Sequence, residues 1–347
     1  MVTVVMNRQV VLVEPIVGVP APRHFRLEQV PLRELNDNEL LIRNIYCSVD
    51  PGTRSRLSPG TSYTTQLQAG EMVTGFALGR VATSRHAGYR KGELVAYASG
   101  WTEYQISRGR GYIQKLPERK VPLSAWIGVL GIPGLTAWFG IHRVASLQPG
   151  ARVLVTSAAG PVGATAGQIA KKLGASHVVG VAGGDVKCAW LREQAGFDQT
   201  VDYKATSDLA ADLAKASPDG YDILFDNVGN TMIDAAIPSL RQNARIVISG
   251  QTSAYNNDES MTPGLRNTRH FIAKRLRMEG ILVFDDLTNF ATAQASIADW
   301  IEAGSLAMRE EKFVGIEQLP AAFAGLFTGE SFGRRVVQVG PEEIAND

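Results

Sequence analysis

Cysteine is scarce in this chain: Cys47 and Cys188 are the only two in 347 residues. That excludes a disulfide framework and a four-cysteine zinc lobe. The five histidines, 24, 86, 142, 177 and 270, show no metal-ligand spacing. An excess of one charge is also missing. Lys and Arg number 35 against 34 Asp and Glu, a net +1, so nothing points to a nucleic-acid or membrane-surface partner. The opening Met1-Val2-Thr3-Val4-Val5-Met6-Asn7 has no basic region ahead of a long apolar core. A signal peptide is therefore not expected, and a cytoplasmic protein is. Val121 to Ile141 is uncharged and long enough to raise a membrane question. It contains Pro122, Pro133, Gly128, Gly131, Gly134 and Gly140, and reads as a buried interdomain segment. What is present is ordinary for a soluble globular chain: 45% hydrophobic and 20% charged. The length suggests about two domains at roughly 150 residues each.

One stretch organises the reading: Thr156-Ser157-Ala158-Ala159-Gly160-Pro161-Val162-Gly163. Ahead of it lies the β-branched run Arg152 to Val155; behind it Ala164 to Leu173 has helical spacing, with Gly174 as a stop. Strand, Gly-rich turn and helix together make a dinucleotide-binding context. Gly160 and Gly163 match the last two glycines of G-x-G-x-x-G, and Ala158 replaces the first. Gly160 would let a pyrophosphate approach the backbone, and Gly163 would let the helix pack on the strand. The helix N-terminus offers unpaired N–H groups to the phosphates. A ligand-free β–α turn is the competing reading.

Before this stretch, short strands at Val10–Val13, Phe25–Val30, Glu39–Ile45, Gly79–Ala82, Leu94–Tyr97 and Trp101–Ile106 suggest a barrel-like domain. After it, strands and helices alternate. Strands are expected at His177–Val181, Thr200–Tyr203, Tyr221–Asp226, Arg245–Ser249 and Gly280–Phe284. Helices fall at Val186–Gln194, capped by Asp185, and around 207–216, 230–240 and 288–303. The fold class is therefore α/β, a Rossmann-type doubly wound parallel sheet with a second, β-rich domain. The expected divisions are 1–125, 126–311 and 312–347. In the last, a helix at Glu317–Phe327 and a strand at Arg334–Val339 return to the first domain.

Several stretches carry a family resemblance: Ser48-Val49-Asp50-Pro51, Ile132-Pro133-Gly134-Leu135-Thr136-Ala137, Lys215 to Asp222, Phe225-Asp226-Asn227-Val228-Gly229 and Leu276-Arg277-Met278-Glu279. With the domain order, they resemble the medium-chain dehydrogenase/reductase superfamily. Within it, the chain is similar to the zinc-independent branch of leukotriene B4 dehydrogenase/prostaglandin reductase, plant alkenal double-bond reductases and bacterial curcumin reductase. The resemblance implies a GroES-like first domain, a homodimer, and NADPH-dependent reduction of the C=C bond of an enone or enal. Lys187 and Tyr203 correspond to the residues that hold the 2′-phosphate, and Asn227 to a cofactor contact. The expected cofactor contacts are Pro161, Val162, Gly163, Ala164, Gly184, Lys187, Tyr203, Asn227, Ser249, Gly250, Thr252, Ser253, Tyr255, Ile281, Leu282, Val283 and Ser331. Tyr255 is the expected catalytic residue, as donor to the enolate oxygen.

Zinc members of the superfamily carry a Gly-His-Glu stretch. Here the corresponding region reads Thr74-Gly75-Phe76-Ala77-Leu78-Gly79-Arg80-Val81, with neither His nor Glu, and Cys47 reads as a buried small thiol. No metal is expected. Two departures touch the substrate and cofactor sides: Gly52 replaces a common aromatic, and Ser331 replaces a common Asn. Quinone reduction, secondary-alcohol oxidation and NADPH binding without turnover stay open as alternatives on this scaffold.

Overall fold

The structure is a computed structural model and describes residues 5–59, 65–256 and 264–343. Residues 1–4, on which the signal-peptide expectation partly rests, lie outside the described residues. The chain divides into two compact units. One takes the described residues up to Ile127, then Glu310–Ser331 and those from Arg335 onward; the other takes Gly128–Arg309 and Phe332–Arg334.

In the first unit, β1 (Met6–Leu12) pairs antiparallel with β2 (Phe25–Pro31). Next come β3 (Leu40–Ser48), a short helix α1 (Arg54–Leu57), β4 (Thr74–Ser84), β5 (Leu94–Gly100), β6 (Tyr104–Ser107) and β7 (Ile113–Lys115). The expected strand from Trp101 starts later, at Tyr104. The Trp101 indole N–H donates to the Ser48 carbonyl at 3.1 Å, and Thr102 makes a lone bridge to Gln9. These contacts hold Trp101 and Thr102 out of the ladder. Phe25, Trp101 and Phe323 form the aromatic centre of this core, at centroid separations of 5.6 to 5.9 Å. Such mutual packing supplies burial that short strands alone cannot.

The second unit opens with α2 (Ile132–Phe139), inside the uncharged segment flagged in the sequence. Among the described residues no helix is long and apolar enough to cross a membrane. Then follow β8 (Arg152–Val155), α3 (Pro161–Lys172), β9 (His177–Ala182), α4 (Asp185–Glu193), β10 (Gln199–Asp202), α5 (Leu209–Ala216) and β11 (Tyr221–Asp226). The unit continues with α6 (Asn230–Ala236), β12 (Leu240–Ile248), α7 (Arg269–Lys274), β13 (Arg277–Gly280) and α8 (Phe290–Glu302). Its strands run parallel in the order β10-β9-β8-β11-β12-β13. This is a doubly wound sheet, reversing direction between β8 and β11. Val153, Leu154 and Val155 are fully buried, as a central strand covered by helices on both faces requires.

Three expectations shift. The sixth strand is Arg277–Gly280, not Gly280–Phe284. β12 ends at Ile248, opposite Gly280, so the chain has no ladder to continue along. Val283–Asn289 instead winds into a 3-10 turn with Asp285 and Asp286 in its first turn, where acidic groups favour a helix N-terminus. Asp185 is not the cap of α4 but its first helical residue; Gly184 is the cap, at φ 94°. The helix expected at Glu317–Phe327 splits into a 3-10 turn, Ile316–Gln318, and α9 (Leu319–Ala324), with Pro320 in its first turn.

The first unit closes with β14 (Glu310–Val314), α9 and β15 (Arg334–Gln338). Val336 to Gln338 pair antiparallel with Ser48 to Tyr46 of β3. The resulting order is β14-β15-β3-β4-β5-β7, with β6 also on β3.

Candidate dinucleotide site

Parallel strands bring their carboxyl ends to one edge, and the loops after β8, β9, β11, β12 and β13 gather there. The centre is Thr156, directly after β8 and wholly buried. Its hydroxyl donates to Asp226 Oδ1 at 2.6 Å and accepts the Asn227 amide at 2.9 Å. The Asn227 side-chain Nδ2 donates to the Thr156 carbonyl at 2.8 Å. That fixes the amide plane and leaves Oδ1 as an acceptor. Asp226 Oδ2 accepts the Gly229 amide at 2.7 Å. Burial pushes the Asp226 carboxyl above its usual range, and the bonds from Thr156, Gly229 and Val228 pull it back. The two strand ends at the switch point are thus locked by side chains before any ligand arrives.

The turn itself is shaped by close approach. Ser157 sits at φ 46°, a left-handed conformation uncommon outside glycine. A Cβ on Gly163 would lie 2.5 Å from the Ser157 carbonyl oxygen and 2.8 Å from Ala158 Cα. Only glycine lets α3 start this near the turn. Gly160 caps α3 without a side chain, and Pro161 follows. The first-turn amides of Val162 and Gly163 therefore have no acceptor within the helix. They are donors for an anion.

Beyond β11 and β12 the loops interlock. Ser249 N donates to Asp226 O at 2.8 Å. Thr252 Oγ1 donates to Asn227 O at 3.1 Å, and Ser253 Oγ to Val228 O at 2.6 Å. These bonds seat the segment that carries Tyr255, which is half-buried. At the other flank, β9 ends at Ala182 and Gly183-Gly184 follow. Asp202 Oδ1 accepts the amides of Gly184 and Lys204, each at 2.9 Å. The Gly184 bond first, then the Lys204 amide, the Lys204 charge and the Ala205 amide, hold the Asp202 carboxyl below its usual range against the opposing effect of burial.

Residues 8–115 match the family described as N-terminal domain of oxidoreductase, and residues 161–301 the family described as zinc-binding dehydrogenase. The chain is 37% identical to the 2-alkenal reductase (NADP(+)-dependent) of Nicotiana tabacum, over 97% of this chain and 99% of the relative. It is equally 37% identical to the NADPH-dependent curcumin reductase of Escherichia coli (strain K12), over 97% and 98%. The crystal structure of CurA from Vibrio vulnificus in complex with NADPH superposes with a TM-score of 0.89 at 35% identity, covering 96% of this chain and 99% of that one. The chain belongs to the zinc-independent branch of the medium-chain dehydrogenase/reductases.

Within this reductase fold, the expected contacts fall into groups. Pro161, Val162, Gly163 and Ala164 form the first turn of α3. Asn227, Ser249, Gly250, Thr252 and Ser253 form the interlocked loops beside it. Gly184 and Tyr203 both lie at the β9–β10 corner, where Tyr203 N donates to Ala182 O at 3.1 Å, with Lys187 half-buried in the first turn of α4. Ile281 N donates to Ile248 O at 3.0 Å, which ties that segment to the edge; Val283 is buried and Leu282 exposed. Ser331 belongs to the first unit.

Sequence reasoning missed several supports. Thr156 and Asp226 were inside quoted motifs, and their signal was a hydroxyl and a carboxylate at the ends of neighbouring buried strands. Gly333, at φ 80°, donates its amide to Ala159 O at 3.0 Å, while Phe332 packs edge-on against Trp190 at 5.6 Å. Nothing local in the sequence links position 333 to 159. Among the described residues no group of three or more His, Cys, Asp or Glu could hold a metal ion.

Proposed function

We propose that this protein is an NADPH-dependent ene-reductase acting on enones or enals without a metal. One observation carries the reading. Relatives named for NADP(+)-dependent 2-alkenal reduction and NADPH-dependent curcumin reduction match the chain over 97% of its length, and the strand-end loops described above suit a dinucleotide. The residues present fit the cofactor: a glycine-shaped turn, free first-turn amides, and a glycine corner whose nearest carboxylate is engaged by backbone.

When bound, NADPH supplies the hydride. Val162 and Gly163 hold the pyrophosphate with their amides. Lys187 and Tyr203 hold the 2′-phosphate, and Asn227 with the Ser249–Ser253 loop orients the nicotinamide end. Ile281, Leu282 and Val283 complete the contacts within this unit. Hydride addition at the substrate β-carbon would leave an enolate whose oxygen the Tyr255 hydroxyl would hydrogen-bond, and a proton taken up at the α-carbon would complete the saturated product. The first unit is the substrate domain and the second the dinucleotide domain.

The protein is a cytoplasmic homodimer in this reading. All residues of β13 are exposed and, among the described residues, the strand pairs only with β12. Met278 is 44% exposed on that edge. An unpaired edge of this kind can be covered by a second copy. NADPH oxidation should proceed with an enone or with an enal such as a 2-alkenal, and not with a secondary alcohol or quinone. Turnover with quinone alone would replace the reading, and a monomer by light scattering at micromolar concentration would remove the dimer.

A further inference from the structure

We infer that Lys204 is a second cationic reader of the cofactor's 2′-phosphate, acting with Tyr203 across the face of Gly183. The inference rests on the NADPH reading above and adds a residue that the family resemblance did not supply. Gly183 follows β9, at the strand end where the adenosine ribose is held in such sheets. A Cβ on Gly183 would meet Tyr203 Cε1 at 2.8 Å, Lys204 Cε at 2.9 Å and Tyr203 Cζ at 3.0 Å. The phenol ring and the end of the lysine chain therefore fold back side by side over bare backbone. The Lys204 ammonium is one bond beyond the carbon that touches this face.

Among the described residues, neither the Tyr203 hydroxyl nor the Lys204 ammonium makes a hydrogen bond or an ion pair, and the Lys204 ammonium acts on the Asp202 carboxylate only through space. Tyr203 is 45% exposed despite its ring. Asp202 would be the natural partner for the ammonium. Its Oδ1 is instead committed to the amides of Gly184 and Lys204 itself. That arrangement does two things. It shapes the corner by fixing Gly184 against β10, and it turns the carboxylate toward backbone. A ribose 2′-hydroxyl would seek an acidic acceptor here. A phosphate dianion seeks a cation and a hydroxyl, which is what Lys204 and Tyr203 present.

Calorimetric titration of the wild type, Lys204→Ala, Lys204→Arg and Lys187→Ala with NADPH, NADH and 2′,5′-ADP tests this without turnover. Lys204→Ala should weaken NADPH and 2′,5′-ADP by about 10- to 150-fold, the range of one lost charge-assisted contact. NADH should change by less than about twofold, and Lys204→Arg should retain most of the affinity. Unchanged NADPH binding in Lys204→Ala, with Lys187→Ala impaired, would overturn this inference and leave the cofactor reading intact. A wild type with no preference for NADPH over NADH would overturn both. Equal losses for NADPH and NADH in Lys204→Ala would assign Lys204 a structural role and also overturn it.

Discussion

Each unit buries a polar cluster, one around Asn44 in the middle of β3 and one around Thr156 at the end of β8, and the two differ in what they leave over. In the first unit, Asn44 Nδ2 donates to Ser99 Oγ and Thr102 O, and Tyr97 OH donates to Asn44 Oδ1 at 2.6 Å. Thr102 Oγ1 closes the set through Asn7. Those bonds run from one member to another. In the second unit, Thr156, Asp226 and Asn227 are equally buried and equally well bonded. Their bonding, however, holds apart a turn whose Val162 and Gly163 amides have no acceptor among the described residues. Full satisfaction inward makes a specified core. Satisfaction that leaves oriented donors at a strand edge makes a binding site.

The largest effect should come from the residue that the second cluster positions. Tyr255→Phe removes the phenol hydroxyl and keeps the ring. Loss of one preorganised donor costs about 2.7–4 kcal/mol, or roughly 100- to 1000-fold in turnover. Steady-state kinetics with an enone should show kcat falling and KM nearly unchanged. A Phe variant with full turnover, beside an Ala variant with raised KM, would make the ring a packing wall only.

Next is the turn. Gly163→Ala puts a methyl against backbone at 2.5 and 2.8 Å. Backbone yields less than a flexible side chain, so the cost should approach about 3 kcal/mol, the upper part of the overpacking range. NADPH affinity should fall roughly 10- to 100-fold, read by fluorescence titration. An Ala variant that binds normally would show that α3 can slide away from Ser157.

These two residues also mark what was legible beforehand. The strand–turn–helix pattern around Gly163 is local, so it could be read from sequence. The parallel order of the second unit followed from alternation of apolar strands and helices. What was not legible depends on distance in the chain. The sixth strand moved because its partner ended at Ile248. The cap of α4 moved because Asp202, from another strand, supplies the acceptor for Gly184. Gly333 reaches Ala159 through a return of the chain that no periodicity announces.

A smaller effect, on stability alone, is expected from the first cluster. Tyr97→Phe deletes the donor to Asn44 Oδ1 and the acceptor of Ser99 Oγ. A buried group left unsatisfied costs about 1–3 kcal/mol. Chemical denaturation should show that loss, while kcat per folded molecule stays at the wild-type value. A selective fall in kcat would place this cluster in the reaction after all.

Metal removal should have the smallest effect, none at all. A catalytic zinc needs anionic or imidazole ligands converging on one open position. At the end of β3, the only thiol is Cys47, fully buried, and burial pushes it up to about 12. Its sulfur lies 3.9 Å from the Thr102 carbonyl, as a donor rather than a thiolate. The strand beside it carries Gly75-Phe76-Ala77, with Ala77 paired to Cys47. A Cβ on Gly75 would already approach Ser48 Oγ and Trp101 Nε1 at 3.4 Å. The place a neighbouring ligand would occupy is filled by an indole that donates to the Ser48 carbonyl. Prolonged chelation should therefore leave enone turnover intact, and elemental analysis should find less than stoichiometric zinc. One tightly bound zinc per chain, lost together with activity, would overturn the contrast drawn between the two clusters.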